Sequence, residues 1–277
     1  MASILDEIFA AKRAEVAAQQ AARPLSAVID DAGRAPSPRP FVAALRARRP
    51  AIIAEVKRAS PSKGNIFPGL DPAAVARDYA AAGAAAISVL TDRHFKGSLE
   101  DLRQVRAAVD LPILRKDFIF DAYQIYEARA AGADCILLIA AMLTRDELAA
   151  LKASAGEAGV AALVEVHNRR EFAIARELGC ELIGINNRDL HTFKTDIATT
   201  EELVSGYQGG ALGYDGGALI VSESGIETAE HIARLSAAGA GAFLIGESLL
   251  RGGNPRAALA ALTGASGADG GAAREGK

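Results

Sequence analysis

Read for apolar and polar positions, the chain alternates between two textures. Short, nearly unbroken apolar runs begin near Ala51, Ala85, Leu111, Asp134, Val160, Glu181, Gly217 and Gly241. Two of them read Cys135-Ile136-Leu137-Leu138-Ile139 and Ala218-Leu219-Ile220-Val221. Runs of this length without alternation belong to parallel strands covered on both faces. Between them, at spacings of roughly 21 to 36 residues, lie Ala-, Glu- and Arg-rich stretches of helical character. Eight strand–helix units in succession predict an α/β fold, a single (β/α)8 TIM barrel. An open doubly wound sheet is the structural competitor. It would favour a Gly-rich fingerprint after the first strand, and Glu55 to Gly64 carries none.

Segments outside the eight units divide the chain further. Ile4, Leu5, Ile8 and Phe9 form one apolar stripe, so Ile4 to Arg13 reads as an amphipathic helix. Arg34 to Pro40 contains Pro36, Pro38 and Pro40 and is predicted to be irregular, followed by a short helix from Phe41 to Arg48. The expected organisation is an N-terminal helical extension over 1–48, a catalytic barrel over 49–263 and a disordered tail over 264–277, where Gly, Ala and charge replace apolar periodicity. Gly206 to Gly217 is longer and richer in glycine than a link between a sixth helix and a seventh strand requires. It belongs to the N-terminal face, which carries stability rather than chemistry.

Composition changes this picture little. A chain of 277 residues with 50% hydrophobic content can bury one large core but not two barrels. The net charge of -3 gives no electrostatic footprint for nucleic acid. There is no apolar run of about 18 residues, so no membrane span is expected. Met1-Ala2-Ser3-Ile4-Leu5-Asp6 lacks the basic start and apolar block of a signal peptide. Cys135 and Cys180 sit in or beside apolar runs and read as buried small hydrophobes, which implies a reducing, cytoplasmic setting.

In a barrel of this kind, chemistry belongs to the C-terminal strand ends. The first strand ends Glu55-Val56-Lys57 before the turn Ser60-Pro61-Ser62-Lys63-Gly64. Glu55 and Lys57 share a face, and an acid and a base on a buried face are costly unless paired or used. The third strand ends Leu114-Arg115-Lys116-Asp117-Phe118, which sends Lys116 into the mouth; the fifth ends Leu163-Val164-Glu165-Val166-His167. The sixth ends Ile185-Asn186-Asn187-Arg188-Asp189, with Asn186 and Arg188 on one face. The seventh and eighth end Ser222-Glu223-Ser224-Gly225 and Ile245-Gly246-Glu247-Ser248. The glycines of these last two turns allow an anion to approach backbone N–H groups, with helices expected from Ile226 and just after Gly246. Loops after strands seven and eight are the usual phosphate site of this fold. Two lysines and three carboxylates, with no metal-ligand spacing, suit proton transfer near a carbonyl or Schiff-base chemistry. His94, His167, His191 and His231 are dispersed and read as structural or solvated.

Ile52 through Ile66 resembles the signature of the indole-3-glycerol phosphate synthase family. So do Leu114-Arg115-Lys116-Asp117-Phe118-Ile119, Leu163 to His167, Gly184 to Leu190, Ser222 to Ile226, Leu244 to Leu249, and Ile4 to Ile8 followed by Lys12-Arg13. The resemblance spans residues 4 to 262 or so. It implies closure of an indole ring in tryptophan biosynthesis from 1-(2-carboxyphenylamino)-1-deoxyribulose 5-phosphate, with loss of carbon dioxide and water and with no cofactor. It implies Lys116 as general acid, Glu165 in dehydration and Glu55 orienting the lysines. Lys57 meets an anion of the substrate, either carboxylate or phosphate. Asn186, Arg188, Glu223 and Ser224 hold the substrate, while Phe95, Phe118 and Leu190 line an aromatic pocket. Ser60 shapes the first loop, and Ser224, Gly225, Gly246 and Glu247 take the phosphate. The apolar stripe of the extension must be buried, either against the barrel's bottom or an outer helix for stability alone or, as the resemblance suggests, with residues 1–48 across the catalytic mouth. The only partner implied is the phosphorylated small molecule, acting on a monomer or weak homo-oligomer.

Three other readings share parts of this pattern. Phosphoribosylanthranilate isomerase uses the same phosphate turns, but needs a Cys/Asp acid–base pair at strand ends, and Cys135 starts its strand. A Schiff-base aldolase would use Lys116 as a nucleophile. A binding module without activity has no need of both Lys116 and Glu165.

Overall fold

The computed structural model describes residues 4–60, 64–67, 69–189, 192–205 and 217–264, with the side chains of residues 4–6, 60 and 65 outside that description. Leu190, most of the Gly206–Gly217 stretch and the tail beyond Gly264 lie outside the described residues.

Eight parallel strands close into a barrel: β1 (Ala51–Val56), β2 (Ala86–Leu90), β3 (Ile113–Lys116), β4 (Cys135–Ile139), β5 (Ala161–Val166), β6 (Leu182–Asn186), β7 (Leu219–Glu223) and β8 (Ala242–Ile245). Each pairs with its neighbours in sequence, and β1 closes against β8 through Ala51↔Ala242 and Ala54↔Ile245. The apolar runs were unbroken because both faces of every strand are covered. Alternate residues face opposite ways. Ile52, Ala54, Ile136, Leu138, Val164 and Ile183 pack outward under the helices. Ile53, Leu114, Leu137, Leu163, Leu182, Leu219, Val221 and Leu244 fill the interior.

The outer helices are α4 (Pro72–Ala81), α5 (Leu99–Ala108), α6 (Ala122–Ala131), α7 (Arg145–Ala158), α8 (Arg169–Glu177), α9 (Ala198–Val204), α10 (Ala229–Ala238) and α12 (Pro255–Thr263). A short α11 (Glu247–Leu250) follows β8. Local sequence sets their starts: Ser98 with Asp101, Asp121 with Gln124 and Thr144 with Glu147 each form a capping box. The helix after β7 begins at Ala229, capped by Thr228, and not at Ile226, so Ser224-Gly225 is a turn set back from the helix.

The extension is three helices. The first, α1 (Ile4–Ala22), runs well past the expected end at Arg13. The second, α2 (Leu25–Arg34), was not anticipated, although Leu25, Val28 and Ala32 carry a helical spacing and Val28 and Ala32 are buried. It packs along α6 on the barrel wall. The third, α3 (Phe41–Arg46), is shorter than expected and inserts Phe41 and Leu45 into the inner core with Ala51 and Ala86, at the strands' N-terminal ends. Only α1 reaches the opposite end. Lys12 is buried there and ion-pairs with Asp92 at 2.8 Å and Asp117 at 3.1 Å, just beyond β2 and β3.

Candidate active site

One cavity of about 330 Å³ opens at the C-terminal end of the barrel. Strand periodicity populates it. Glu55 is in step with Ile53, Lys116 with Leu114, Glu165 with Leu163, and Glu223 with Leu219 and Val221, all inward-facing. Asn186 is likewise in step with Leu182. The polar site residues are thus the next inward positions after the apolar core ends.

Every sequence-predicted site residue within the described side chains lines this cavity. They are Glu55, Lys57, Phe95, Lys116, Phe118, Glu165, Asn186, Arg188, Glu223, Ser224, Gly225, Gly246 and Glu247. Ser60 lies in a two-residue antiparallel pairing of Ala59–Ser60 with Gly64–Asn65, inside the first strand-to-helix loop. Its side chain, like all of Leu190, falls outside the description.

Two glycines make room for two carboxylates. A Cβ at Gly184 would lie 2.1 Å from Glu223 Oε1, and one at Gly246 would lie 2.3 Å from Glu55 Oε1. Gly246 was expected to leave space for an anion. Its missing side chain leaves space for Glu55. Gly225 fits the expected turn differently, because Ser224 and Gly225 are consecutive left-handed residues with φ 68° and 77°. Asn187, not singled out from sequence, ties that turn down by donating to Ser222 Oγ and the Ser224 carbonyl, each at 3.0 Å. Ser248 Oγ donates to the Ile226 carbonyl at 2.9 Å and so joins the β7 and β8 turns.

The charged cluster is dense. Lys57 Nζ lies 2.6 Å from Glu55 Oε1. Lys116 Nζ lies 3.4 Å from Glu223 Oε2 and 3.5 Å from Glu165 Oε2. Asn186 Nδ2 donates to Glu165 Oε1 at 3.1 Å, and its own Oδ1 accepts from the Arg188 backbone at 3.0 Å. Burial works against the charge of Lys116, but Glu223, Glu165 and Glu55 outweigh it and hold its pKa above the ordinary lysine value. Burial also opposes the charges of Glu165 and Glu55; Lys116 with His167 for the first, and Lys57 with Lys116 for the second, hold both below the usual carboxylate range. Glu223 goes the other way. Burial, partly offset by Lys116 and reinforced by Glu165, pushes it up to about 8. Glu223 therefore holds a proton more readily than Glu165 or Glu55.

Part of the lining is apolar. Phe95 and Phe118 pack with ring centroids 6.4 Å apart, beside Leu90, Leu137, Ile139 and Ile8. Ile8 comes from α1, one turn before Lys12. Phe193 and Thr195, from the loop after β6, complete the rim. Sequence periodicity gives no signal for these loop residues. Among the described residues no cluster of His, Cys, Asp or Glu could hold a metal ion, and no helix is long and apolar enough to cross a membrane.

The family model described as Indole-3-glycerol phosphate synthase matches residues 5–262. The chain belongs to the indole-3-glycerol phosphate synthase family. A protein of that name from Chromobacterium violaceum is 51% identical over 267 residues, covering 95% of this chain and 98% of its own length. One from Dechloromonas aromatica is 49% identical over 267 residues, covering 95% and 99%. One from Roseiflexus sp. is 51% identical over 258 residues, covering 90% and 94%. Among solved structures, a mandelate oxidase mutant with an FMN adduct superposes with a TM-score of 0.57 at 17% identity, over 78% of this chain and 72% of that one. An N-acetylmannosamine-6-phosphate 2-epimerase from Clostridium perfringens gives 0.56 at 16%, over 73% and 89%. Such distant likenesses speak for the barrel alone. As an indole-3-glycerol phosphate synthase family member, the chain is a decarboxylating lyase of tryptophan biosynthesis.

Proposed function

We propose that this cavity closes the indole ring of 1-(2-carboxyphenylamino)-1-deoxyribulose 5-phosphate, with Lys116 as the acid and Glu165 as the base. The observation that carries the assignment of roles is the Lys116 ammonium held charged between carboxylates in a cavity that an aromatic pair also lines. The phenyl ring lies against Phe95 and Phe118, and the phosphate reaches the joined turns at Ser224-Gly225 and Gly246-Glu247. Lys116 gives a proton to the ketone oxygen while the ring carbon that bears the carboxylate attacks the carbonyl carbon. A carbon–carbon bond forms, and the carboxylate leaves as carbon dioxide with its bonding electrons returning to the ring. The new hydroxyl then departs as water, with acid help at oxygen and Glu165 accepting the proton released as the ring becomes aromatic. Glu55 holds Lys57 toward the anionic end of the substrate. Asn186 and Arg188 keep the substrate and Glu165 in register, and Glu223 supports Lys116.

One chain supplies every residue of this assignment, so the working unit is a monomer or a weak homo-oligomer. A biosynthetic role on small phosphorylated metabolites suits the cytoplasm. The test is direct. The purified chain, given the carboxyphenylamino substrate, should produce indole fluorescence without added metal or cofactor. A covalent lysine adduct trapped by borohydride, with no indole formed, would favour the aldolase reading instead.

A further inference from the structure

His167 is not among the residues that line the cavity, yet it touches one that does. It ends the Glu165-Val166-His167 segment, two residues on from Glu165, and its side chain is only 11% exposed. Its Nε2 lies 3.2 Å from Glu165 Oε1, and its Nδ1 lies 3.2 Å from Glu171 Oε2. The Nε2 contact is an ion pair at close range. Glu171 is itself fixed, because the His167 backbone N–H donates to its Oε2 at 2.8 Å and the Asn168 side chain donates to its Oε1. A buried imidazole with a carboxylate on each side belongs to a built arrangement, not to a solvated strand end.

We infer that His167 is a positioning residue for Glu165, an imidazolium clamped by Glu171 that anchors one oxygen of the catalytic carboxylate and leaves the other to react. The division of labour is visible at the two oxygens. Oε1 takes Asn186 Nδ2 at 3.1 Å and faces His167; Oε2 faces Lys116 at 3.5 Å, on the cavity side. Burial opposes charge on the imidazole, but Glu165 and Glu171 outweigh it and raise its pKa to about 10. His167 stays protonated at neutral pH and keeps Glu165 ionised. The groups facing Glu165 are Lys116 from β3, Asn186 from β6 and His167, with the carboxyls of Glu223 and Glu55 beyond. Those facing His167 are Glu165 from β5 and Glu171 from α8.

This inference rests on Glu165 being the base, and the two can be separated. If Glu165→Gln keeps wild-type turnover, the reading of Glu165 is wrong. If Glu165→Gln is inactive and the His167 variants behave as wild type, only the present inference is wrong. His167→Gln keeps a polar side chain and removes the charge. Turnover should fall about tenfold or more with KM little changed. Without the imidazolium the Glu165 pKa rises, so the acid limb of kcat should move up by roughly 1 to 3 pH units. A lower melting temperature with an unmoved acid limb, or a rise in KM alone, would overturn the role. Glu171→Gln decides the matter if His167→Gln does not fold. It leaves His167 in place but removes one counter-charge, so the imidazolium loses its proton at lower pH and the alkaline limb of kcat moves down. A Glu171→Gln profile superimposed on wild type would refute the clamp.

Discussion

A methyl group at position 246 would come within 2.3 Å of the Glu55 carboxylate, so the smallest possible substitution there is a probe of Glu55. Gly246→Ala should push Glu55 away from Lys57 and lower kcat/KM by about tenfold or more while the barrel stays folded. Steady-state kinetics beside a melting curve would show it, and unchanged kinetics would mean Glu55 has room to move. Lys116 is tested more simply. Its replacement by Ala removes the only ammonium set between Glu165 and Glu223 among the described residues. Turnover should drop by roughly 10² to 10⁴, as for a positioned acid, and retention of more than about a tenth would exclude that role. Glu165→Gln preserves shape but cannot take up a proton. Turnover should collapse while substrate affinity, read from a binding titration, holds within a factor of about three. A loss confined to affinity would recast Glu165 as a binding group.

Among the elements, α1 stands apart because it is held by charge at a buried place. Lys12 sits between Asp92 and Asp117, and Asp117 also takes Arg115 at 3.0 Å and Thr91 at 2.6 Å. Asp117 directly follows the proposed acid, and Ile8 on the same helix lines the cavity. The latch therefore joins the helix that brings Ile8 to the cavity to the end of β3, beside the proposed acid. Lys12→Met keeps the length of the side chain and removes a shared cation from two buried carboxylates that keep other partners, a loss at or below the roughly 3 to 5 kcal/mol of a broken buried pair. The KM should rise by a larger factor than kcat falls, as α1 loses its seat. A variant with a lower melting temperature and wild-type KM would make Lys12 purely structural. From sequence, α1 showed only its apolar stripe. That Lys12 is buried could not be read from its neighbours in the chain, because Asp92 and Asp117, which it meets in the interior, are 80 and more residues away.

For the whole molecule, the two ends of the barrel divide stability from chemistry. Leu45 of α3 is fully buried in the inner core at the strands' starts, and no cavity residue comes from α3. Leu45→Ala should cost about 2 to 5 kcal/mol and lower the melting temperature with KM unchanged. A raised KM at a temperature where the variant is folded would couple the two ends. The sequence by itself determined the eight strands, their parallel order and the inward step of Glu55, Lys116, Glu165, Asn186 and Glu223, since strand period and burial on both faces are local properties of the chain. It also located the two turns at Ser224-Gly225 and Gly246-Glu247. Only the tertiary structure decided that the N-terminal helices go to three different places, that Gly246 and Gly184 yield to glutamates from neighbouring strands, and that His167 faces Glu165 with Glu171 behind it. Periodicity tells which way a side chain points, but not which residue from another strand occupies the space it points into. Closure of the barrel brings those residues within a few ångströms, and with them the charges that set which carboxylate keeps a proton.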